Sequence, residues 1–235
     1  MSATIQRDFR WVRPPAGHRA IFVALPLPPD ARAQVEALVG RVQHGLPTRE
    51  GDGSEVRPVR WVRTDGLHVT VRFLGPAAPD QLAGIERAVI ATAADAAPIM
   101  LRLHGGGGFP RPDRPRTLWL RIEEGASELA ALATRLDDHL AAEGWVREER
   151  PFRAHLTLAR SDGVRAGPET LRRLIEEAQG LSTAWTAEEL VLFESLTGGG
   201  PARYEPLLRV PLAGSGVPGE SPEDAHGVAP PPRHA

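Results

Sequence analysis

This sequence of 235 residues contains no cysteine and no lysine, so arginine supplies all 28 of the side chains counted as Lys plus Arg. Without cysteine there is no disulfide framework, no thiolate zinc site and no cysteine nucleophile. Without lysine there is no standard P-loop, no Schiff-base or pyridoxal chemistry and no ligase that stores AMP on a lysine. The sequence therefore favours chemistry that proceeds without such activated intermediates.

Long apolar segments are missing as well. No run approaches the roughly 18 residues that span a bilayer, and the N-terminal stretch lacks the apolar centre of a signal peptide. We therefore expect a cytoplasmic protein with no membrane contact. The formal net charge of −2 argues against bulk electrostatic binding of long nucleic acid. A local cleft lined with arginine that takes one phosphate or an RNA end remains compatible with this charge.

The chain divides into a globular region and two peripheral segments. Residues 1–18 are predicted to be an N-terminal extension, residues 19–213 the domain, and residues 214–235 a disordered tail rich in proline and glycine. Strand and helix patterns alternate within the domain, and their order repeats. The repeat predicts an α+β fold with two pseudo-symmetric lobes, each an antiparallel sheet backed by helices, and an active-site cleft between them.

Several local signals complete this prediction. Residues 44–57 are predicted to be a loop, and residues 105–115 a flexible loop of glycine and proline between two strands. A strand is predicted from Leu67 to Leu74. Ser127 is predicted to cap a helix that Gly144 stops.

Two motifs of the form His-x-Thr, His68-Val69-Thr70 and His155-Leu156-Thr157, lie at corresponding places of the repeat. Strand alternation predicts that the polar residues of the first motif share one face and their apolar neighbours the other: His68, Thr70 and Arg72 against Leu67, Val69, Val71 and Phe73. In the second strand His155 and Thr157 share a face in the same way. An imidazole and a hydroxyl two residues apart can contact different oxygens of one phosphate. One such motif is weak evidence, whereas two in repeated positions indicate a site.

The two motifs, with several other segments, resemble the RNA 2′,3′-cyclic phosphodiesterases. These are also called LigT-like 2′-5′ RNA ligases and belong to the two-histidine phosphoesterase superfamily. The resemblance covers about residues 19–212, and the segments that carry it are 19–24, 60–62, 67–75, 108–110, 151–152, 155–160, Ser195 and Tyr204. Ala154 stands where the family often has proline, and Val71 where leucine is usual. Neither departure removes a chemical group.

The resemblance implies a reaction and a role for each site residue. The enzyme would hydrolyse a 2′,3′-cyclic phosphate to a 2′-phosphate, with His68 as the acid for the 3′-oxygen and His155 as the base for water. Arg160 matches the family position that touches the phosphate. No metal and no cofactor are implied, and the reverse reaction, 2′-5′ ligation to a 5′-hydroxyl, would need no ATP. The expected partner is an RNA with a cyclic phosphate end, transfer-RNA fragments included, bound by a monomer.

The chemistry of these side chains agrees with that scheme. Two histidines with pKa values near 6.5 hold opposite protonation states around neutral pH, which predicts a bell-shaped rate profile there. The hydroxyls of Thr70 and Thr157 are candidate donors to phosphate oxygens. Arg72 and Phe73 are weaker candidates for substrate binding, and a solvated arginine and a core phenylalanine are the alternatives. Phe109 is a candidate for stacking on a base, and Tyr204 for contact with substrate or for filling the lobe interface.

Other functions remain as alternatives. A metal hydrolase is disfavoured because the remaining histidines form no His-x₃-His or His-Glu-x-x-His pattern. Nucleotide binding through the four glycines at 105–108 lacks the helix that opens a dinucleotide fingerprint. A protein that binds RNA ends without turnover, and a phosphodiesterase that acts on small cyclic nucleotides, both use the same two motifs.

Overall fold

The computed structural model describes residues 14–46, 59–161, 163, 166–196 and 202–214. The strands are β1 (Arg19–Pro26), β2 (Arg60–Trp61), β3 (His68–Ala77), β4 (Ile99–Phe109), β5 (Thr117–Glu124), β6 (His155–Arg160), β7 (Thr183–Ala187), β8 (Glu189–Leu196) and β9 (Arg203–Pro211). The helices are α1 (Pro29–His44), α2 (Leu82–Ala94), α3 (Ala126–Ala142) and α4 (Ala166–Ala178), with short 3₁₀ turns at Thr64–Gly66 and Pro79–Gln81. Most of the predicted extension, loop and tail lie outside the described residues.

The described strands form one antiparallel sheet in the order β7-β4-β5-β6-β3-β1-β8-β9, with β2 attached to β6. At the centre of the sheet β3 and β6 pair through Val69 and Leu156 alone. This narrow junction separates a first lobe, β3-β1-β8-β9, from a second lobe, β6-β5-β4-β7. The predicted α+β fold of two similar antiparallel lobes is confirmed.

The helices repeat the symmetry of the sheet. The order β1-α1-β3-α2 recurs as β5-α3-β6-α4. In each repeat the first helix packs on the opposite lobe, because α1 contacts α4 and β7 whereas α3 contacts α2 and β3. The lobes are therefore held together by exchanged helices as well as by the central strand pair. No helix among the described residues is long and apolar enough to cross a membrane.

Helix α1 shows how sequence periodicity produces this packing. It begins with Pro29, whose fixed φ suits the first turn of a helix. Its buried residues recur at helical spacing and belong to the main core: Ala31, Val35, Leu38 and Val42. Burial of a large aliphatic side chain contributes roughly 2 kcal/mol. The predicted amphipathic helix is confirmed.

Strand β3 departs from simple alternation after Val71. On β1, Val23 lies opposite Arg72 while the next residue, Ala24, lies opposite Thr70. Val71 is therefore an additional residue in the strand pair, as in a β-bulge, and the bulge reverses the faces of the residues that follow. The alternation predicted from sequence holds from Leu67 to Val71 and is wrong for Arg72 and Phe73.

The run of four glycines at 105–108 belongs to strand β4, so the predicted flexible loop is wrong there. Gly106, Gly107 and Gly108 pair with β5. A Cβ on Gly107 would lie 2.2 Å from the Trp119 ring, and one on Gly108 would lie 2.8 Å from Leu171 of α4. Glycine is required because the neighbouring groups approach the backbone closely.

Helix α3 ends as predicted but begins differently. Gly144, with φ +89°, follows its C-terminus and stops the helix. At the N-terminus Gly125 occupies the cap position, and the hydroxyl of Ser127 donates instead to Glu128 at 2.8 Å. Strand β7 has no counterpart in the sequence prediction.

Candidate active site

The two His-x-Thr motifs meet at the centre of the sheet. β3 and β6 run antiparallel, with Val69 directly opposite Leu156. The same register puts His68 level with Thr157 and Thr70 level with His155, on the face away from the apolar core that holds Val69 and Leu156. The sheet thus brings together the four polar groups that the sequence pattern singled out.

Both histidines are held by the same backbone contact. Nδ1 of His68 lies 2.7 Å from the carbonyl oxygen of Gly66, and Nδ1 of His155 lies 2.7 Å from that of Arg153. A carbonyl oxygen only accepts hydrogen bonds, so each Nδ1 carries the proton and donates it. Each Nε2 is left to take up or release a proton, as acid–base chemistry requires.

An aromatic cage surrounds His68. Its ring centroid lies 4.7 Å from that of Phe22, 5.0 Å from Tyr204 in an edge-on arrangement, and 6.1 Å from Phe193. Burial lowers the pKa of His68 to about 4, the hydrogen bond to Gly66 opposes the shift, and the charge of His155 adds to it slightly. In the unliganded protein His68 is therefore neutral around pH 7.

His155 lies in a different environment. Phe109 meets its ring edge-on with centroids 5.1 Å apart, and Trp119 lies 6.2 Å away. Burial lowers the pKa of His155, the bond to Arg153 opposes this, and the positive charge of Arg160 lowers it further. A fixed cation thus accompanies the second histidine.

Arg160 lies at the end of β6, close enough to His155 for its charge to lower the pKa of that histidine. Its Nη1 donates to the hydroxyl of Thr117, which is buried. Burial lowers the pKa of the Arg160 guanidinium. The neighbouring Tyr204 opposes this shift, and the positive charge of Arg60 adds to it. Among the described residues Arg160 has no ion pair with a carboxylate. A cation held in this way is suited to an anionic ligand.

Thr70 and Thr157 are half-buried on the same face as the histidines. Within the described part of the chain, neither hydroxyl makes a hydrogen bond to another protein group. Both hydroxyls are therefore available to donate to a ligand.

Arg72 lies away from this group. Its Nε is 3.0 Å from Asp137 of α3, its Nη1 is 2.9 Å from Glu148, and its Nη2 donates to the carbonyl of Val146 at 2.7 Å. These contacts tie β3 to α3 and to the segment that leads into β6. The guanidinium is engaged on the helix side of the sheet, and a contact of Arg72 with substrate stays a prediction.

Phe73 lies on the histidine face, as a result of the bulge. It is opposite Phe22 on β1 and packs against the cluster that includes Phe22 and Phe193. Phe73 therefore supports the wall of the His68 cage. Sequence reasoning did not identify Phe22, Phe193 and Trp119 as residues beside the histidines, because each comes from a strand that reads as core alone.

The described residues include no group of three or more His, Cys, Asp or Glu side chains that could hold a metal ion. The residues predicted for the second half of the site lie near one another, since Thr157 and Arg160 are on β6 and the ring of Phe109, at the end of β4, contacts His155 of β6. Fold and site together define a two-lobed α+β protein in which paired His-x-Thr strands meet at the junction of the lobes.

Comparison with known proteins agrees with this description. The model of the 2′-5′ RNA ligase superfamily matches residues 27–199, and the chain belongs to that superfamily. An RNA 2′,3′-cyclic phosphodiesterase of Aeropyrum pernix is 33% identical over 160 residues, which are 68% of this chain and 89% of that protein. The phosphodiesterase of the same name from Escherichia coli is 28% identical over 80% of this chain and 94% of its own length.

A third relative is longer than the matched region. The RNA 2′,3′-cyclic phosphodiesterase of Geobacillus stearothermophilus is 31% identical over 196 residues, 83% of this chain, and the match spans 57% of that protein. Among solved structures, Thermus thermophilus TT0787 has a TM-score of 0.63 at 26% identity and covers 84% of this chain. E. coli LigT complexed with 3′-AMP has a TM-score of 0.61 at 26% identity, over 83% of this chain and 98% of its own. These similarities identify the protein as an enzyme related to the cyclic phosphodiesterases.

Proposed function

We propose that the enzyme hydrolyses RNA 2′,3′-cyclic phosphate ends to 2′-phosphomonoesters by acid–base catalysis between His68 and His155, without a metal. The observation that carries the proposal is the register of β3 and β6, which sets each histidine level with the threonine of the other motif. The names of the relatives supply the substrate class.

The proposed step needs one base and one acid. Nε2 of His155 removes a proton from water, whose oxygen attacks the phosphorus in line with the bond to the ribose 3′-oxygen. Nε2 of His68 gives its proton to that oxygen as the P–O bond breaks, which leaves a 3′-hydroxyl and a 2′-phosphate. The hydrogen bonds from Nδ1 to Gly66 and Arg153 support this chemistry because they direct each Nε2 away from the backbone.

Protonation of His68 depends on the substrate in this scheme. With a pKa of about 4 in the unliganded protein, His68 carries little charge at neutral pH. The negative phosphate raises the pKa of any imidazole beside it, since an opposite charge favours the protonated form. Binding of the cyclic phosphate therefore supplies the condition under which His68 becomes an acid.

The phosphate itself is held by uncharged and charged donors. Thr70 and Thr157 each direct a hydroxyl to the face where the histidines lie, and Arg160 contributes a guanidinium with no competing carboxylate among the described residues. Such preorganised donors stabilise the charge that develops on the non-bridging oxygens. Both histidines come from one chain, which supports action as a monomer. We propose a cytoplasmic role on RNA ends, transfer-RNA fragments included.

The same groups operate in the reverse direction. If a ribose 5′-hydroxyl replaces water, His155 deprotonates it and a 2′-5′ linkage forms with no nucleotide cofactor. The name of the superfamily supports this reverse reaction, and hydrolysis dominates in water because water is in large excess.

The test is incubation of the protein with an RNA oligonucleotide that ends in a 2′,3′-cyclic phosphate, with excess chelator present. The expected product is a 2′-phosphate, identified because it resists an enzyme that removes only 3′-phosphates. Loss of turnover in chelator would contradict the metal-independent mechanism. Binding with no phosphomonoester would favour the RNA-end binding protein, and a 3′-phosphate product would contradict the assigned leaving group.

A further inference from the structure

Arg60 forms a cross-strand pair with Arg160 at the edge of the site. In the register of β2 and β6, Arg60 lies directly opposite Arg160, and on the other side of Arg160 lies Thr117 of β5. Directly opposed residues of an antiparallel pair have Cβ atoms about 5 Å apart and point to the same face. The charge of Arg60 lowers the pKa of Arg160, as expected for like charges on directly opposed residues.

Two like charges in this position destabilise a sheet unless an anion offsets them. Among the described residues neither Arg60 nor Arg160 has an ion pair with a carboxylate. Arg63, three positions along the same segment, shows the contrast, because its Nη2 lies 2.6 Å from Asp65. The pair at Arg60 and Arg160 thus has more positive charge than the described residues neutralise.

The two arginines differ in position. Arg160 donates to the buried Thr117, interacts with Tyr204 and lowers the pKa of His155, so it belongs to the reacting phosphate. Arg60 is exposed and stands on a two-residue strand at the margin of the sheet. It extends the positive surface outward from the place where the cyclic phosphate reacts.

We propose that Arg60 binds the phosphodiester on the 5′ side of the nucleotide that carries the cyclic phosphate. This inference rests on the proposed function. A cyclic phosphate ends its RNA chain, so the only neighbouring anion in the substrate is the phosphate on the 5′ side. A guanidinium binds phosphate oxygens through paired N–H donors, and an exposed arginine can adjust to a flexible chain end. Arg60 therefore selects RNA ends over nucleoside 2′,3′-cyclic monophosphates.

The experiment compares three substrates: a nucleoside 2′,3′-cyclic monophosphate, the same compound with a 5′-phosphate, and a dinucleotide with a cyclic end. Arg60→Gln removes the charge, and Arg63→Gln is the matched control because it removes an exposed arginine that is already paired with Asp65. We expect Arg60→Gln to lower kcat/KM about tenfold on the two substrates with a second phosphate, the usual effect of one charge-assisted contact. The nucleoside cyclic monophosphate should lose less than twofold.

The substrate series separates the possible results. An equal loss on all three substrates would overturn the proposal, because Arg60 would then act on the reacting phosphate through Arg160. No loss on any substrate would also overturn it. A loss on the dinucleotide without one on the 5′-phosphorylated compound would show a contact to the base or sugar and would overturn the assignment to phosphate. If the wild-type protein turned over none of the three, the proposed function itself would fail and this inference with it.

Discussion

The two halves of the site share one backbone plan and differ in what surrounds the imidazole. Each histidine is the first residue of a central strand and is followed, two positions later, by a threonine on the same face. From Nδ1 each donates a hydrogen bond to the carbonyl oxygen two residues before it. His68 is enclosed by aromatic rings from β1, β8 and β9, whereas His155 lies between two aromatic rings and the cation of Arg160. Repetition of the strand provides two reactive groups, and the unequal surroundings give them different proton affinities.

That difference suits the two tasks of the proposed reaction. The described residues around His68 are aromatic rings and supply no fixed countercharge, so the proposed mechanism assigns the protonation of His68 to the arrival of a negative phosphate. Burial lowers the pKa of His155, and the permanent positive charge of Arg160 adds to that shift, which favours the neutral form that the proposed base requires. The two His-x-Thr motifs can be alike in sequence and still differ in their proposed roles. The rings that surround His68, those of Phe22, Phe193 and Tyr204, come from distant parts of the chain and not from the motif itself.

The largest expected effect comes from removing either imidazole. His68→Ala and His155→Ala should each reduce kcat on a cyclic phosphate end by around 10² to 10⁴, as expected for general acid–base groups. Steady-state rates measure this, with circular dichroism as the check that the fold persists. Arg172→Ala is a suitable control, because within the described ranges this arginine pairs with Glu176 alone, on the surface of α4. Parental turnover by His155→Ala would remove the second half of the site from the mechanism.

Acid unfolding should separate the two histidines. The folded-state pKa of His68, about 4, lies below its value of about 6.5 in the unfolded chain. The unfolded state therefore takes up the proton first as the pH falls. The associated stability is fully present above pH 6.5 and is lost between 6.5 and 4, to the extent of about 3 kcal/mol.

Urea unfolding at pH 7 and pH 4.5 provides the measurement. The free energy of unfolding of His68→Gln should fall less between these pH values than that of the wild type, because the glutamine does not titrate. His155→Gln should resemble the wild type more closely. An identical pH dependence for the wild type and His68→Gln would show that burial does not hold His68 neutral.

Much of this site follows from sequence, and its exceptions have physical causes. The period of α1 and the alternation around His68 and His155 identify the buried faces correctly, because burial imposes those periods. The bulge at Val71 exchanges the faces of the sheet on which Arg72 and Phe73 lie. No local pattern in the β3 sequence indicates this bulge, because the bulge depends on the register with β1.

The glycines at 105–108 show a second kind of exception. Their composition indicates a loop, whereas the structure needs them in strand β4 so that Trp119 and α4 can approach the backbone. Such a requirement comes from tertiary packing and leaves no trace in local propensity. The same holds for the cage around His68, which forms only when β1, β8 and β9 lie side by side.

The smallest expected effect is a shift in the pH profile when that cage is opened. The pH profile of kcat/KM reports the pKa values of the unliganded enzyme. The low-pH limb of this profile should therefore follow the lowered pKa of His68, and the pH optimum should lie below neutrality. The bell-shaped profile near pH 7, expected for histidines with ordinary pKa values, should then be seen in kcat, because in the proposed mechanism the bound phosphate raises the pKa of His68. Tyr204→Ala admits water beside the ring and should move the low-pH limb of kcat/KM to higher pH. Tyr204→Phe keeps the ring and should leave the limb in place, so equal profiles for both variants would show that the cage does not set the pKa of His68.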